Sequence, residues 1–303
     1  MTNRFDRALK QQILKFAAAG LFLAVTTTVV IGAECPGNPD AIGTSRVLTV
    51  SPHEFNHIGS MQYAQSLPLE DHEVVLTFDD GPSPLFTDVI LNVLNSQCVR
   101  ATHFLIGKSA LMHPELVRRI YNAGETVGTH TFDHPLAFRR LPMTRVAAEV
   151  EDGIKAVDDA MGDPKAVAPF FRIPGLSRSD EVDKYLASQS LVTWSADVVA
   201  DDWFRHITPA EIIERATQRL DAKGRGILLL HEIHPATALA LPLLLKELKK
   251  RGYHIVHVVP AGNLPNSVPD LPNASTVSDM GWPRTVVANR HHRTNGFNLG
   301  KIH

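Results

Sequence analysis

The sequence predicts an α/β fold, a parallel sheet with helices outside it, open or closed into a barrel. Three observations carry this. Apolar, β-branched runs of strand length alternate about seven times with helical patterns between residues 74 and 260. Proline and glycine punctuate the helical stretches at the ends where each is tolerated. Polar residues close five of the strands, the end at which parallel α/β folds collect their chemistry. The chain of 303 residues is 44% hydrophobic and 20% charged, an ordinary globular composition. Its formal net charge of −2 gives no reason to expect a nucleic-acid partner, and no protein partner is evident. A count of 15 histidines against 2 cysteines hints at metal or proton chemistry.

Residues 1–33 read as a signal peptide. Arg4, Arg7, Lys10 and Lys15 precede the apolar run Phe16–Ile31, and Ile31-Gly32-Ala33 offers a cleavage site. The run is shorter than the ~20 residues of a spanning helix, so an uncleaved anchor is the lesser alternative. Glu34 stands before Cys35, where a lipoprotein signal wants a small residue, which argues against lipidation. The expectation is a secreted or periplasmic protein with no stable membrane span after cleavage. Such a protein can carry a disulfide, and Cys35 and Cys98 are the candidates. Two free thiols are the equal alternative, because distance in sequence says nothing of geometry. Residues 34–73 lack sustained periodicity and read as an N-terminal extension packed on the domain.

The domain proper, 74–262, takes the elements in turn. Strand-like runs fall at Val74–Phe78, Ala101–Ile106, Thr126–Thr129, Phe170–Ile173, Leu191–Ser195, Ile227–Leu230 and His254–Val259. Helical patterns lie between them at Thr87–Ser96, Pro114–Ala123, Thr144–Met161, Ser179–Ser188, Pro209–Ala222 and Ala236–Arg251. Pro114 and Pro209 sit in first turns, and Gly124, Gly162 and Gly252 follow helix ends. Residues 263–303 are rich in Pro, Asn, Ser and His without periodicity and read as a partly ordered tail. Its Asn273-Ala274-Ser275 sequon matters only in a eukaryotic secretory pathway.

The first strand, Val74-Val75-Leu76-Thr77-Phe78, stops at Asp79-Asp80, and Gly81-Pro82 turns the chain away. Two adjacent carboxylates at the tip of a buried strand repel and lose hydration unless positive charge or a proton compensates. Further along, His130 and His134 stand four apart; one helical turn would aim both the same way, although Pro135 biases His134 away from helix. Two imidazoles and one carboxylate make a three-ligand site with an open position, the pattern of catalytic zinc. Arg172, Asp197 and His231 close later strands and point to the same end of the sheet.

Thr77-Phe78-Asp79-Asp80-Gly81-Pro82 followed by His130-Thr131-x-x-His134 resembles the polysaccharide deacetylases of carbohydrate esterase family four. The likeness runs over about Val74–Pro260. It implies a distorted (β/α) barrel of about seven strands forming a single catalytic domain. It also implies Asp79 as catalytic base, and Asp80, His130 and His134 as ligands of Zn²⁺ or another divalent transition metal. Phe170–Gly175 is similar to the family's third motif, whose arginine, here Arg172, holds the base. The aromatic residue usual after its proline is missing, so the backbone oxyanion donor is left between Gly175 and Leu176. Trp194–Trp203 resembles the fourth motif with a longer gap, offering Asp197 as a carboxylate for the acid and Trp203 as a wall for the acetyl methyl. Ile227–His231 resembles the fifth, with His231 as acid beside Leu229. Adjacent residues of a strand point to opposite sides, so Asp79 and Asp80 are expected not to share a role.

The implied activity is metal-dependent removal of acetyl groups from N-acetylated glycans such as chitooligosaccharide or peptidoglycan. Two alternatives stand beside it. One is an esterase acting on O-acetylated polysaccharide of the xylan type; the other is a catalytically weak glycan-binding member of the fold.

Overall fold

The computed structural model describes residues 35–261. The expected signal peptide and C-terminal tail lie outside the described residues. In chain order the strands are Thr44–Val50 (β1), His57–Ile58 (β2), Glu73–Asp79 (β3), Thr102–Leu105 (β4), Thr126–Thr129 (β5), Phe170–Arg172 (β6), Val192–Trp194 (β7), Val198–Val199 (β8), Gly226–His231 (β9) and His254–Pro260 (β10). The α-helices are Thr87–Ser96 (α1), Gly107–Met112 (α2), Pro114–Asn122 (α3), Met143–Met161 (α4), Asp180–Ser188 (α5), Pro209–Lys223 (α6) and Pro235–Lys250 (α7).

β3 is the hub, because all its residues are buried and it pairs in parallel with β4, β9 and β10. The ladder continues from β4 through β5 and β6 to β7. Residues 192–199 then change partner: β7 pairs with β6, and β8, a few residues on, pairs with β9. The sheet therefore wraps round through one stretch of chain that serves two ladders, rather than through a uniform ring of strands.

Side-chain alternation divides the core into an inside and an outside. Val75, Phe104, Phe170, Trp194, Ile227 and Val256 pack together within the wrapped sheet. Val74, Leu76 and Phe78 face the other way, against buried residues of α1, α6 and α7. The same alternation places Thr77 and Asp79 on the inner side with Val75. The helices have local reasons to start and stop. Thr208 and Glu211 form a capping box ahead of Pro209, and Gly224, with φ of 77°, ends α6 in a left-handed turn.

The seven expected strands and six expected helices are present, each end within one residue of its expected place. The difference lies in residues 34–73, which do more than pack on the domain. β1 pairs in parallel with β10 over its length and β2 pairs with β7. Most of β1 is only half-buried, as suits an outermost strand, and β2 is too short to show a period. α2 and β8 were not expected either. No helix among the described residues is long and apolar enough to cross a membrane.

Cys35 and Cys98 form a disulfide, which settles the open alternative and fastens the segment before β1 to the end of α1. The loop it closes spans 63 residues of sequence. Replacing both cysteines by serine is expected to lower unfolding stability by about 2–4 kcal/mol in a denaturant titration. An unchanged midpoint would show that the bridge constrains little.

Candidate active site

The carboxyl ends of β3, β5, β6, β8 and β9 meet at one mouth of the sheet. Asp79, the last residue of β3, is buried, and its Oδ1 accepts a 2.6 Å hydrogen bond from Arg172 Nη1. Arg172 is wholly buried. The same nitrogen donates to Thr77 Oγ1 at 2.8 Å, Nη2 donates to the Ser195 carbonyl at 3.0 Å, and the guanidinium lies 4.2 Å from the Phe104 ring centre. One cation thus neutralises the Asp79 carboxylate and ties β3, β4, β6 and β7 together.

Asp80 lies beyond the strand with φ of 70°, and a cis peptide joins Gly81 to Pro82. This left-handed residue departs from strand alternation. Both carboxylates consequently turn toward one imidazole: His130 Nε2 is 3.8 Å from Asp79 Oδ2 and 3.4 Å from Asp80 Oδ1. His134 Nε2 lies 3.1 Å from the same Asp80 oxygen. The expected helical turn between the histidines is absent. Thr131 and His134 have φ of 65° and 55°, and the Thr131 hydroxyl accepts the His134 N–H. Two features of α4 hold this irregular turn. The buried Glu149 carboxylate accepts the N–H groups of Phe132 and Asp133 at 3.2 and 2.9 Å. Gly153 packs so closely that a Cβ there would fall 2.5 Å from the Thr131 carbonyl carbon.

Asp80, His130 and His134 each offer a ligand atom, all within 4.8 Å of one another. The donor set fits a cation. His130 spends its Nδ1–H on the Arg172 carbonyl at 2.6 Å, which leaves the lone pair of Nε2 facing the carboxylate. Asp80 Oδ1 is buried and has no hydrogen-bond partner among the described residues. Burial alone would raise the Asp80 pKa, but His130, with His231 and His134, overrides it and holds the carboxyl well below its usual range. Burial and His130 lower the His134 pKa as well, which for an imidazole favours the neutral form that binds metal.

Across the mouth, His231 ends β9. Its Nδ1 donates to Asp202 Oδ1 at 2.8 Å, its backbone N–H reaches Oδ2 at 2.6 Å, and Thr237 completes the carboxylate's partners. Burial opposes a charge on His231, yet the bond to Asp202 and the nearby carboxylates raise its pKa to about 9. The expected partner, Asp197, is not there. Asp197 accepts instead from the N–H groups of Ser60 and Ile227 and from the Ser66 hydroxyl, at 2.7 to 2.8 Å. It pins the 60–66 loop to the sheet, and no hydrogen bond or ion pair joins it to His231 among the described residues. The neighbouring Asp201 is committed to Arg215 and Arg219. Three aspartates within six residues therefore hold three different jobs.

The Trp203 and His231 rings meet in a T-shaped contact, centres 5.3 Å apart, and Trp203 is partly exposed, whereas Leu229 is buried two residues before the histidine. Gly175 and Leu176 both have left-handed φ. The Leu176 N–H is spent on the Ile173 carbonyl at 3.0 Å, whereas Gly175 is exposed and its N–H has no partner among the described residues. Gln62, which no sequence pattern marked, donates its amide to the Leu176 carbonyl at 2.6 Å and braces this turn.

The sequence profile of the polysaccharide deacetylase family matches residues 67–194. The peptidoglycan-N-acetylglucosamine deacetylase PgdA of Listeria monocytogenes is 32% identical over 189 residues, which cover 61% of this chain and 38% of that protein. The chitooligosaccharide deacetylase of Bradyrhizobium is 34% identical over 207 residues, covering 62% of this chain and 89% of that protein. This chain belongs to the polysaccharide deacetylase family. Its fold agrees: the structure of the peptidoglycan deacetylase of Bdellovibrio bacteriovorus superposes with a TM-score of 0.64 at 30% identity, over 72% of this chain and 59% of that one. Against the Listeria relative, the deacetylase match spans well under half of the longer protein.

The exchange of Asp197 for Asp202 is directly testable. Asp202→Asn removes the charge that favours imidazolium, so the His231 pKa, followed by NMR of the ring, is expected to fall by about one unit or more. Asp197→Asn is expected to leave it in place. A His231 titration that moves with Asp197 and ignores Asp202 would reverse the assignment.

Proposed function

We propose that this chain is an exported, metal-dependent deacetylase of N-acetylated glycans. One observation carries the reading. A buried carboxylate held by arginine, a three-residue cation site and a histidine held by its own carboxylate converge on a single mouth. Asp80, His130 and His134 would hold the ion, and Zn²⁺ suits two imidazoles and a carboxylate. Such an ion supplies Lewis-acid polarisation of the acetyl carbonyl and a more acidic water.

The protein's own groups account for the remaining chemistry. Asp79, its Oδ1 fixed by Arg172, takes a proton from the attacking water through Oδ2 as oxygen bonds to the carbonyl carbon. The Gly175 N–H meets the charge that develops on the carbonyl oxygen. His231, kept charged by Asp202, gives its Nε2 proton to the nitrogen as the C–N bond breaks, releasing acetate and a free amine. The last step favours amide over ester. An amine departs only when protonated, and an imidazolium stabilised by Asp202 is suited to that demand.

Family membership supports a glycan substrate, and relatives named for peptidoglycan and chitooligosaccharide bracket the choice. The disulfide supports an oxidising destination, secreted or periplasmic, and a cleaved signal over residues 1–33 agrees with it.

Asp80→Ala is expected to weaken zinc binding and abolish deacetylation of N-acetylglucosamine oligomers. Asp79→Asn should keep the metal near stoichiometric and lose about 10²–10⁴-fold in rate. Metal analysis and initial rates on the two proteins decide it. Loss of metal from Asp79→Asn with retention in Asp80→Ala would invert the roles, and retained activity in both would end the deacetylase reading.

For export, mature protein from a secreting host is expected to begin near Glu34. A membrane-bound product retaining Met1 would contradict a cleaved signal.

A further inference from the structure

Behind the Asp79–Pro82 turn lies a buried set of ionisable groups that the chemistry above does not use. Glu232 directly follows His231, and its carboxylate is fully buried on the far side of the turn. It touches the turn in three ways. Its backbone N–H donates to the Asp79 carbonyl at 2.9 Å. Its carboxylate abuts Gly81 so closely that a Cβ there would fall 2.5 Å from Oε2, which accounts for the glycine. Its Oε1 accepts from the Thr87 hydroxyl, which in turn accepts the Ser83 N–H at 2.8 Å.

The carboxylate is itself held. Oε2 receives His103 Nδ1 at 2.7 Å, and His103, also fully buried, stacks on Phe78 with ring centres 5.2 Å apart. Burial opposes a charge on His103, but Glu232 and the buried Glu125 raise its pKa above the usual range. Stability is a poor reason for such a pair, since well-packed apolar residues commonly do as well in its place. The contacts with the turn supply a better one. Asp80 is a non-glycine residue held at positive φ, and such a conformation persists only where its surroundings over-determine it.

We propose that Glu232, clamped by His103, is a positioning residue for the catalytic turn. It fixes the backbone on both sides of Asp80, so that the Asp79 and Asp80 carboxylates stay aimed at His130. The inference rests on the reading of Asp79 as base and Asp80 as metal ligand.

The test is the double variant His103→Phe/Glu232→Met in the full chain, which removes both charges at similar volume. The phenyl ring introduced in place of the imidazole would keep the stack on Phe78. Glu125, its carboxyl pushed up to about 7 by burial, can take a proton and leave no orphan charge. The variant is expected to unfold within about 4 °C of wild type. It should bind zinc about 10–100-fold more weakly by calorimetry, the usual cost of losing a support behind a metal ligand. The Ser83 amide should exchange faster with deuterium. A folded double variant with wild-type zinc affinity and wild-type Ser83 protection would overturn the proposal. Should it fail to fold, Thr87→Val cuts the link to Ser83 with the pair intact, and the same two readouts apply. Unchanged values there overturn it equally. A wild-type chain that binds no zinc would instead remove the metal-dependent reading, and Ser83 exchange would still decide whether Glu232 holds the turn.

Discussion

A carboxylate buried at a strand end stays ionised only against a positive partner, and the structure is arranged around supplying one to Asp79. Arg172 reaches it across the inside of the sheet from β6. Every other contact of that guanidinium is with the scaffold: Thr77 on β3, the Ser195 carbonyl after β7 and the ring of Phe104 on β4. Losing either partner would leave a buried charge uncompensated, a penalty of about 3–5 kcal/mol. The curvature of the sheet and the charge state of the site are therefore one problem with one solution. The Arg172 carbonyl extends that solution by fixing the His130 tautomer, so a single residue orients both Asp79 and His130.

Once Asp79 is satisfied, the second carboxylate is the remaining imbalance. Asp80 Oδ1 faces the nitrogens of two histidines at 3.4 and 3.1 Å and has no hydrogen-bond partner among the described residues. An arrangement of acceptors facing acceptors is unfavourable by itself and favourable round a cation. The opposite side of the mouth reverses the sign: Asp202 favours the charged form of His231. Excess acceptor on one wall and a held proton on the other give the two sides of the mouth opposite polarity.

Much of this was legible in the sequence because its parts obey local rules. Strand runs ending in polar residues placed Asp79, His130, Arg172 and His231 at one end of the sheet, and the helices announced themselves through proline and glycine. Non-local facts were not legible. Asp197, Asp201 and Asp202 are chemically alike within six residues, and the choice among them depends on how the chain changes ladder between β7 and β8. Strand alternation misjudged Asp80, because a left-handed residue turned it back toward its neighbour's side. β1 and β2 escaped notice because one is a half-exposed edge and the other a single pair. Glu232 and Gln62 carry no pattern, since the partners their side chains meet, Thr87 and His103 for one and the Leu176 carbonyl for the other, lie far away in sequence.

All ladders are parallel, and β1 and β10 lie side by side, which fixes where the chain arrives and departs. It arrives at the amino ends of the strands, where Cys35 is bonded to Cys98. It departs at the carboxyl ends, where the Ala261 N–H caps the Val50 carbonyl. The two gateways are thus on opposite sides of the sheet, and the outgoing one opens on the side of the catalytic mouth. A domain fused directly at residue 261 would be tethered on the side of the mouth, and one fused directly ahead of residue 35 at the opposite ends of the strands.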